Sequence, residues 1–466
     1  MAIVSKVKNR GSLEMVIILS VFLVTNIASQ VFQLHITFNN GQSFDGVFYY
    51  RVAYQFSKGI KPSSEAPFVY RLGTPFLVSV FFKNDLLFGF KPVNITANLL
   101  STILLVFWLR LHLHDWRIRT LLVALFITQW HGPVRFTYYD PAFTDPWLFV
   151  FLLIGLIGIQ KIKGLSDNSV NVESPGFGDV SVRIRASRAH IPKSGSSPRS
   201  LIGIGWLGVV SLIGVVFREV VLIVPLALAF ITNPIPLLQE ITSPLTKQHI
   251  LKLVKRPYVP AIVPVVLGLA GIFLVRSLAS QTNDYSFAKT AFDWAYDKPV
   301  LTYIHAYFIT YGPLIIIPVY FWRRTVNLLW NNQHMLVYLV GFMVLGWIGG
   351  SDTERFLFWA MPVVYLLIGI ELEENKNLFK SPWLILLLTA STICSQRLFW
   401  TVADFPNIFK TPVPMLSILS NKFQYLDLWS WFAARSVQAI SLLEYLLLSA
   451  LLLLWLKRRA QHRLGE

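Results

Sequence analysis

Charge, cysteine and soluble-enzyme signatures are what this sequence has little of. Charged residues occupy 14% of its 466 positions and hydrophobic ones 54%, whereas a soluble domain is about one quarter charged. Water alone would not keep such a chain folded. Its one cysteine, Cys394, excludes an internal disulfide, leaves the redox compartment open, and reads as a small apolar residue. There is no Gly-rich phosphate loop, no Cys/His zinc spacing and no HExxH pair, so soluble-type cofactors are not indicated. The net charge of +17 would suit nucleic acid. Its Lys and Arg residues, however, sit in short clusters between apolar runs, as membrane topology requires, and no nucleic-acid partner is expected.

What is there is apolar sequence in long stretches. Runs beginning near Leu13, Val93, Ile118, Trp147, Leu201, Val220, Val259, Tyr303, Met335, Phe356, Pro382 and Ile440 predict an all-α bundle of about twelve transmembrane helices, several shorter than the usual ~20 residues. The whole of 1–466 reads as one integral membrane domain. Lys6, Lys8 and Arg10 precede the first run, and no small-residue cleavage site follows it; it reads as a retained helix rather than a signal peptide. With the N-terminus cytoplasmic, Arg323-Arg324 and Lys457-Arg458-Arg459 also fall inside, and an even helix count puts both ends there. The segment 162–200, rich in Ser, Gly and Arg, reads as a disordered basic cytoplasmic loop. Two long outer loops remain, 37–92 and 395–437.

The first outer loop holds the most chemistry. Phe48, Tyr49, Val52, Ala53 and Phe56 recur at helical spacing, so a short interfacial helix begins just after Asp45. That places Asp45 at a helix N-terminus, where it is either a cap or an ionised base, and the two are compatible. The loop then returns through Pro67-Phe68-Val69-Tyr70-Arg71-Leu72-Gly73-Thr74-Pro75-Phe76-Leu77. An acid after the first helix, an aromatic interfacial helix and a Tyr-Arg-x-x-x-Pro-x-Leu turn resemble the GT-C superfamily of membrane glycosyltransferases, which use polyprenyl phosphate sugar donors. The position matching that superfamily's catalytic carboxylate is Asp45. Many members carry two acids there, and this chain has Gly46 beside a single Asp.

Three further places fit the resemblance. Tyr138-Tyr139-Asp140-Pro141-Ala142-Phe143-Thr144-Asp145-Pro146 lies where the superfamily often has a second acidic site; Asp145 is equally a helix cap. Arg218-Glu219 interrupts an apolar run and requires either a turn near water or a partnered functional pair, since charge inside a membrane is costly. Ser351-Asp352-Thr353-Glu354-Arg355 leads into a late helix, with Arg355 either a phosphate ligand or an arginine reaching the interface beside Glu354. The resemblance thus implies Asp45 as base, Arg71, Arg218, Arg355, Tyr49 and Tyr50 toward the donor phosphate, and Asp140, Asp145 and Glu219 as secondary acids. It implies transfer with inversion from a polyprenyl phosphate sugar to a hydroxyl on a glycan, lipid or protein, at the outer face of a bacterial inner membrane. Whether Mg²⁺ or Mn²⁺ bridges phosphate and carboxylates stays open, because Asp45, Asp140 and Asp145 have no diagnostic spacing. The alternatives are a transporter or flippase, for which no internal repeat is evident, and a polymerase of lipid-linked oligosaccharides using Arg397, Lys410 and Lys422 in the last outer loop.

Overall fold

The computed structural model describes residues 2–129, 132–167, 198–230, 258–377, 379, 381–395 and 435–464. These form helices α1 (Ala2–Phe32), α2 (Gly46–Ser57), α3 (Gly73–Phe81), α4 (Leu86–Arg110), α5 (Trp116–Thr128), α6 (Pro133–Tyr139), α7 (Asp145–Asp167), α8 (Pro198–Phe217), α9 (Ile223–Ala229) and α10 (Tyr258–Leu278). The chain continues as α11 (Phe287–Asp297), α12 (Val300–Tyr311), α13 (Ile316–Tyr320), α14 (Trp322–Asn331), α15 (Gln333–Ile348), α16 (Thr353–Phe358), α17 (Met361–Glu374), α18 (Pro382–Ser395) and α19 (Arg435–Leu464). Strand among the described residues is confined to Ser63–Ser64 and Ser280–Gln281, paired in parallel. The all-α class holds.

Among the described residues four stretches are long and apolar enough to cross a membrane: Gly11–Phe32, Leu86–Arg110, Asp145–Lys163 and Val300–Tyr320. A fifth arises if α14 and α15, bent by 111° at their junction, count as one. Along α1, Ile18 and Phe22 are buried while Val16, Leu23, Val24, Ile27 and Val31 are each more than half exposed. So much uncovered apolar surface is unstable in water and natural in lipid. This is a helical membrane protein.

A single apolar cluster runs through the bundle, with Trp108, Phe126, Phe149, Phe342 and Trp359 all buried within it. Charge is sorted to the bundle's two ends. At one end Glu14, fully buried, receives Arg110 at 2.8 Å and Arg119 at 2.7 Å, joining α1, α4 and α5. There too Arg324 meets Glu374 at 2.7 Å and Lys376 meets Asp115 at 3.1 Å. At the other end lie the α1–α2 connection, the α6–α7 connection, the α8–α9 break and the start of α16.

Several boundaries shift from expectation. The connection expected over 37–92 closes earlier, because Asp85 caps α4 by accepting from Phe88 N at 3.0 Å. Helices α7 and α8 extend into both ends of segment 162–200, and residues 168–197 lie outside the described residues. The segment 395–437 expected as the last outer loop, with Arg397, Lys410 and Lys422, also lies outside them apart from its helical ends at 395 and 435–437.

Candidate functional site

Asp45 stands immediately before α2, yet its side chain makes no cap hydrogen bond. The cap reading is therefore corrected. Its carboxylate Oδ2 instead lies 3.3 Å from Arg355 Nη2, an ion pair closing 310 residues of chain. The close packing beneath it explains the glycine next door. A Cβ on Gly46 would stand 2.8 Å from the Ala142 Cβ and 3.3 Å from the Ala142 carbonyl oxygen. No second acid fits there without displacing the α6–α7 connection, which accounts physically for the departure from a two-acid pattern.

Arg355 is the hub. Besides Asp45 it contacts Asp352 at 2.5 Å and Asp145 at 3.5 Å. Arg218, 1% exposed, pairs with the other oxygen of Asp145 and lies 4.4 Å over the Trp359 ring. A guanidinium suits this position because one of its N–H groups meets the carboxylate while its carbon lies over the indole ring. Arg71 donates to Tyr49 Oη at 2.6 Å and to Glu219 at 3.1 Å. So the Arg218-Glu219 break is at once a turn between α8 and α9 and a doubly partnered pair: Arg218 faces Asp145, and Glu219, 40% exposed at its side chain, faces Arg71.

Asp140 completes the cluster from the C-terminal end of α6. Ser43 Oγ donates to it at 2.7 Å, from a residue held at φ +67, a left-handed conformation that costs a non-glycine residue about 1–2 kcal/mol. Asn39 Nδ2 bonded to the Ser43 carbonyl at 2.9 Å helps to hold that turn. Burial, reinforced by Asp45 and opposed by Ser43 and Arg355, lifts the Asp140 carboxyl from 3.8 to about 7. Burial and Asp45 also raise Asp352, against the pull of Arg355. Between the arginine hub and α6 is a small pocket lined by Phe136, Phe143, Asp145, Arg355, Phe358 and Trp359; its cavity of about 20 Å³ holds about one water.

Five carboxylates, Asp45, Asp140, Asp145, Glu219 and Asp352, thus share one site with three guanidinium groups. Each arginine is already taken by at least one acid. Two carboxylate oxygens, Asp140 Oδ1 and Asp145 Oδ2, have no hydrogen-bond partner. Asp145 Oδ2 still lies 3.5 Å from Arg355 Nε, which leaves Asp140 Oδ1 the more open of the two toward a divalent cation. Among the described residues no three His, Cys, Asp or Glu side chains form a metal cage, so an Mg²⁺ or Mn²⁺ ion would need further oxygens from its substrate.

Neither protein-family models nor curated proteins give a match for this chain.

Of the residues singled out from the sequence, Asp45, Tyr49, Arg71, Asp140, Asp145, Arg218, Glu219 and Arg355 come together at this one end. Tyr50 does not. It is half-buried and packs on the apolar cluster of Tyr49, Ala53, Val78 and Phe90. Asp145 opens α7, and its carboxylate serves Arg218 and Arg355. Glu354 is not the partner of Arg355; it is 1% exposed and acts electrostatically on Lys298. Sequence reasoning missed Asp352, whose spacing of three from Arg355 on a helix start was a usable signal. It also missed Ser43 and Trp359, for which no sequence signal existed. Asn94 of the sequon Asn94-Ile95-Thr96 is fully buried and donates to the Pro141 and Phe143 carbonyls at 2.9 and 2.6 Å, bracing the acidic connection.

Proposed function

We propose that this protein is a membrane glycosyltransferase of GT-C type, with about twelve spanning helices, that transfers a sugar from a polyprenyl phosphate donor to an acceptor hydroxyl on the outer face of a bacterial inner membrane. The observation that carries this reading is the convergence of Asp45, Asp140, Asp145, Asp352 and Arg355 at one end of a membrane bundle, from segments up to 310 residues apart. Ionisable groups drawn together in this way, with Asp140 lifted to about 7, mark a site that handles protons or charge.

In this reading Asp45 is the base. Its side chain is 31% exposed, against 2% for Asp145 and 19% for Asp352, so an acceptor can reach it. The acceptor hydroxyl gives its proton to Asp45 as its oxygen attacks the anomeric carbon, and the polyprenyl phosphate leaves with the electron pair of the broken C–O bond. One displacement inverts the centre. Phosphate is a competent leaving group, so the protein's task is to meet its charge. Arg355, with 18% of its side chain exposed, is the open guanidinium; Arg71 and Arg218, at 7% and 2%, hold Glu219 and Asp145 in place. For Arg355 to grip phosphate it must exchange Asp45 or Asp352 for the donor, which couples donor arrival to release of the base. A divalent ion at Asp140 Oδ1 and Asp145 Oδ2, the latter exchanging its 3.5 Å contact with Arg355, would supply further charge neutralisation.

The test is purification of the full chain with its bound lipid, followed by mass spectrometry and a transfer assay with and without chelator. A polyprenyl phosphate sugar bound to the wild type, consumed in the presence of acceptor, is the expected result. A chain that carries no polyprenyl phosphate and moves a solute across vesicles instead would overturn the assignment.

A further inference from the structure

Helix α11 (Phe287–Asp297) has no buried residue at all. Thr290, Ala291, Trp294 and Ala295 are half-covered, and the helix rests on the end of α15. Ala288, Phe292 and Tyr296 recur every four residues along a second stripe, and the two aromatic rings are 73% and 84% exposed. Phe287 at the helix start is 58% exposed. Lys289, Asp293 and Asp297 lie along the adjoining polar stripe, which follows from 3.6 residues per turn. Such segregation leaves an aromatic face that none of the described residues covers.

The end of this helix is fastened to the candidate site. Lys298, its C-terminal cap and 3% exposed, donates to the Gly346 carbonyl at 2.6 Å, the Gly350 carbonyl at 2.7 Å and Thr353 Oγ1 at 2.8 Å. Those are all three donors of an ammonium group. Trp347 Nε1 adds a bond to the Ala295 carbonyl at 3.1 Å. The clamped stretch contains Gly350 at φ +133, where a side chain would be strained, and runs directly into Asp352 and Arg355. Two residues beyond Lys298 begins Val300–Tyr320, one of the stretches able to cross a membrane. The helix therefore sits where a spanning segment leaves the bilayer, at the same end as the Asp45 cluster.

We propose that the Phe292 and Tyr296 face of α11 is seated in the lipid interface, and that Lys298 transmits this seating to the loop presenting Asp352 and Arg355. The occupant is the boundary between headgroups and acyl chains. Aromatic rings with an adjoining charged stripe prefer that depth, and the neighbouring spanning segment fixes it there. Lys298 is a positioning residue: it touches the loop rather than any reacting group. This inference goes beyond the proposed reaction and holds for whatever chemistry the cluster performs.

The full chain, reconstituted in nanodiscs of phosphatidylcholine and phosphatidylglycerol, provides the test. A nitroxide at Phe292→Cys, in a Cys394→Ser background, should be relaxed more by oxygen, which concentrates in lipid, than by a water-soluble nickel chelate. Amide exchange over residues 347–355 should quicken about tenfold or more in Lys298→Met and also in the surface double variant Phe292→Ser/Tyr296→Ser, because local opening follows loss of the anchoring contacts. Lys298→Arg should retain most of the protection. Chelate-dominated relaxation at position 292 would remove the lipid face. Unchanged exchange in Phe292→Ser/Tyr296→Ser would refute the coupling, even if Lys298→Met fails to fold.

Discussion

Replacing Asp45 by Asn and by Ala separates a base from a structural residue. A carboxylate capping a helix contributes about 1 kcal/mol, and Asn caps as well as Asp whereas Ala does not. Here no side-chain cap bond exists, so the Asn and Ala variants should unfold within about 0.5 kcal/mol of each other. Loss of the 3.3 Å contact to Arg355 costs little, because that arginine retains Asp352 at 2.5 Å and the Asp45 side chain is 31% exposed; partly exposed pairs are worth about 1 kcal/mol or less. Neither amide nor methyl accepts a proton from the acceptor. Both variants should therefore lose about two to four orders of magnitude in turnover while donor still binds. Folding is read by thermal unfolding in detergent, and chemistry by sugar transfer or release of polyprenyl phosphate. An Asn variant with near wild-type transfer would remove Asp45 from the mechanism, and a stable Asn beside an unstable Ala would restore the cap.

Arg218→Met should destabilise the protein by about 3–5 kcal/mol, since it strands the buried Asp145 carboxylate; adding Asp145→Asn should recover a large part, read as coupling in a double-mutant unfolding cycle. Asp140 carries a folded-state value of about 7 against 3.8 ordinarily, so its contribution is whole below about pH 4 and is lost as pH rises through 7; unfolding temperature should fall over that window and Asp140→Asn should flatten the fall. Gly46→Asp, which would restore a two-acid pattern, should drive into Ala142, lower stability by about 1–3 kcal/mol and yield no gain in transfer. Lys in place of Arg71 or Arg355 should weaken donor use despite the conserved charge, because each guanidinium serves two or more partners at once; unchanged apparent donor affinity in both variants would return these residues to a packing role.

Residue type and local spacing made the parts of the site legible, and their partners were not. Asp45, Asp140, Asp145, Arg218, Glu219 and Arg355 stand out because charge in an apolar chain is expensive and must be explained. Which acid meets which arginine depends on contacts 73 to 310 residues apart, beyond any local pattern. One helical position separates Tyr50 from Tyr49: both pack in the apolar cluster with Ala53, Val78 and Phe90, and the Tyr49 hydroxyl also accepts from Arg71. Helix boundaries were least legible where an apolar run is cut by a turn. The run from Leu201 breaks at Arg218, and the run expected to start at Phe356 divides between α16 and α17.

The energetics of the cluster argue that it serves more than the fold. Burying Arg218 and Asp145 together is at best neutral for stability, since well-packed apolar side chains of similar volume commonly do as well or better. Ser43 adds a left-handed backbone conformation to reach Asp140, and Asp140 holds its carboxyl near neutrality at the expense of burial. None of these features is needed to join helices that already share a continuous apolar core through Trp108, Phe149 and Phe342. The opposite end of the bundle provides the contrast. There, Glu14 with Arg110 and Arg119 is a compact triad with both of its acid oxygens bonded, a clamp that leaves nothing open. In the Asp45 cluster, by contrast, Asp140 Oδ1 and Asp145 Oδ2 accept no hydrogen bond, acids outnumber arginines five to three, and the Asp45 side chain is 31% exposed. Under the proposed reaction, these are the groups left to meet a cation or to take up the acceptor's proton.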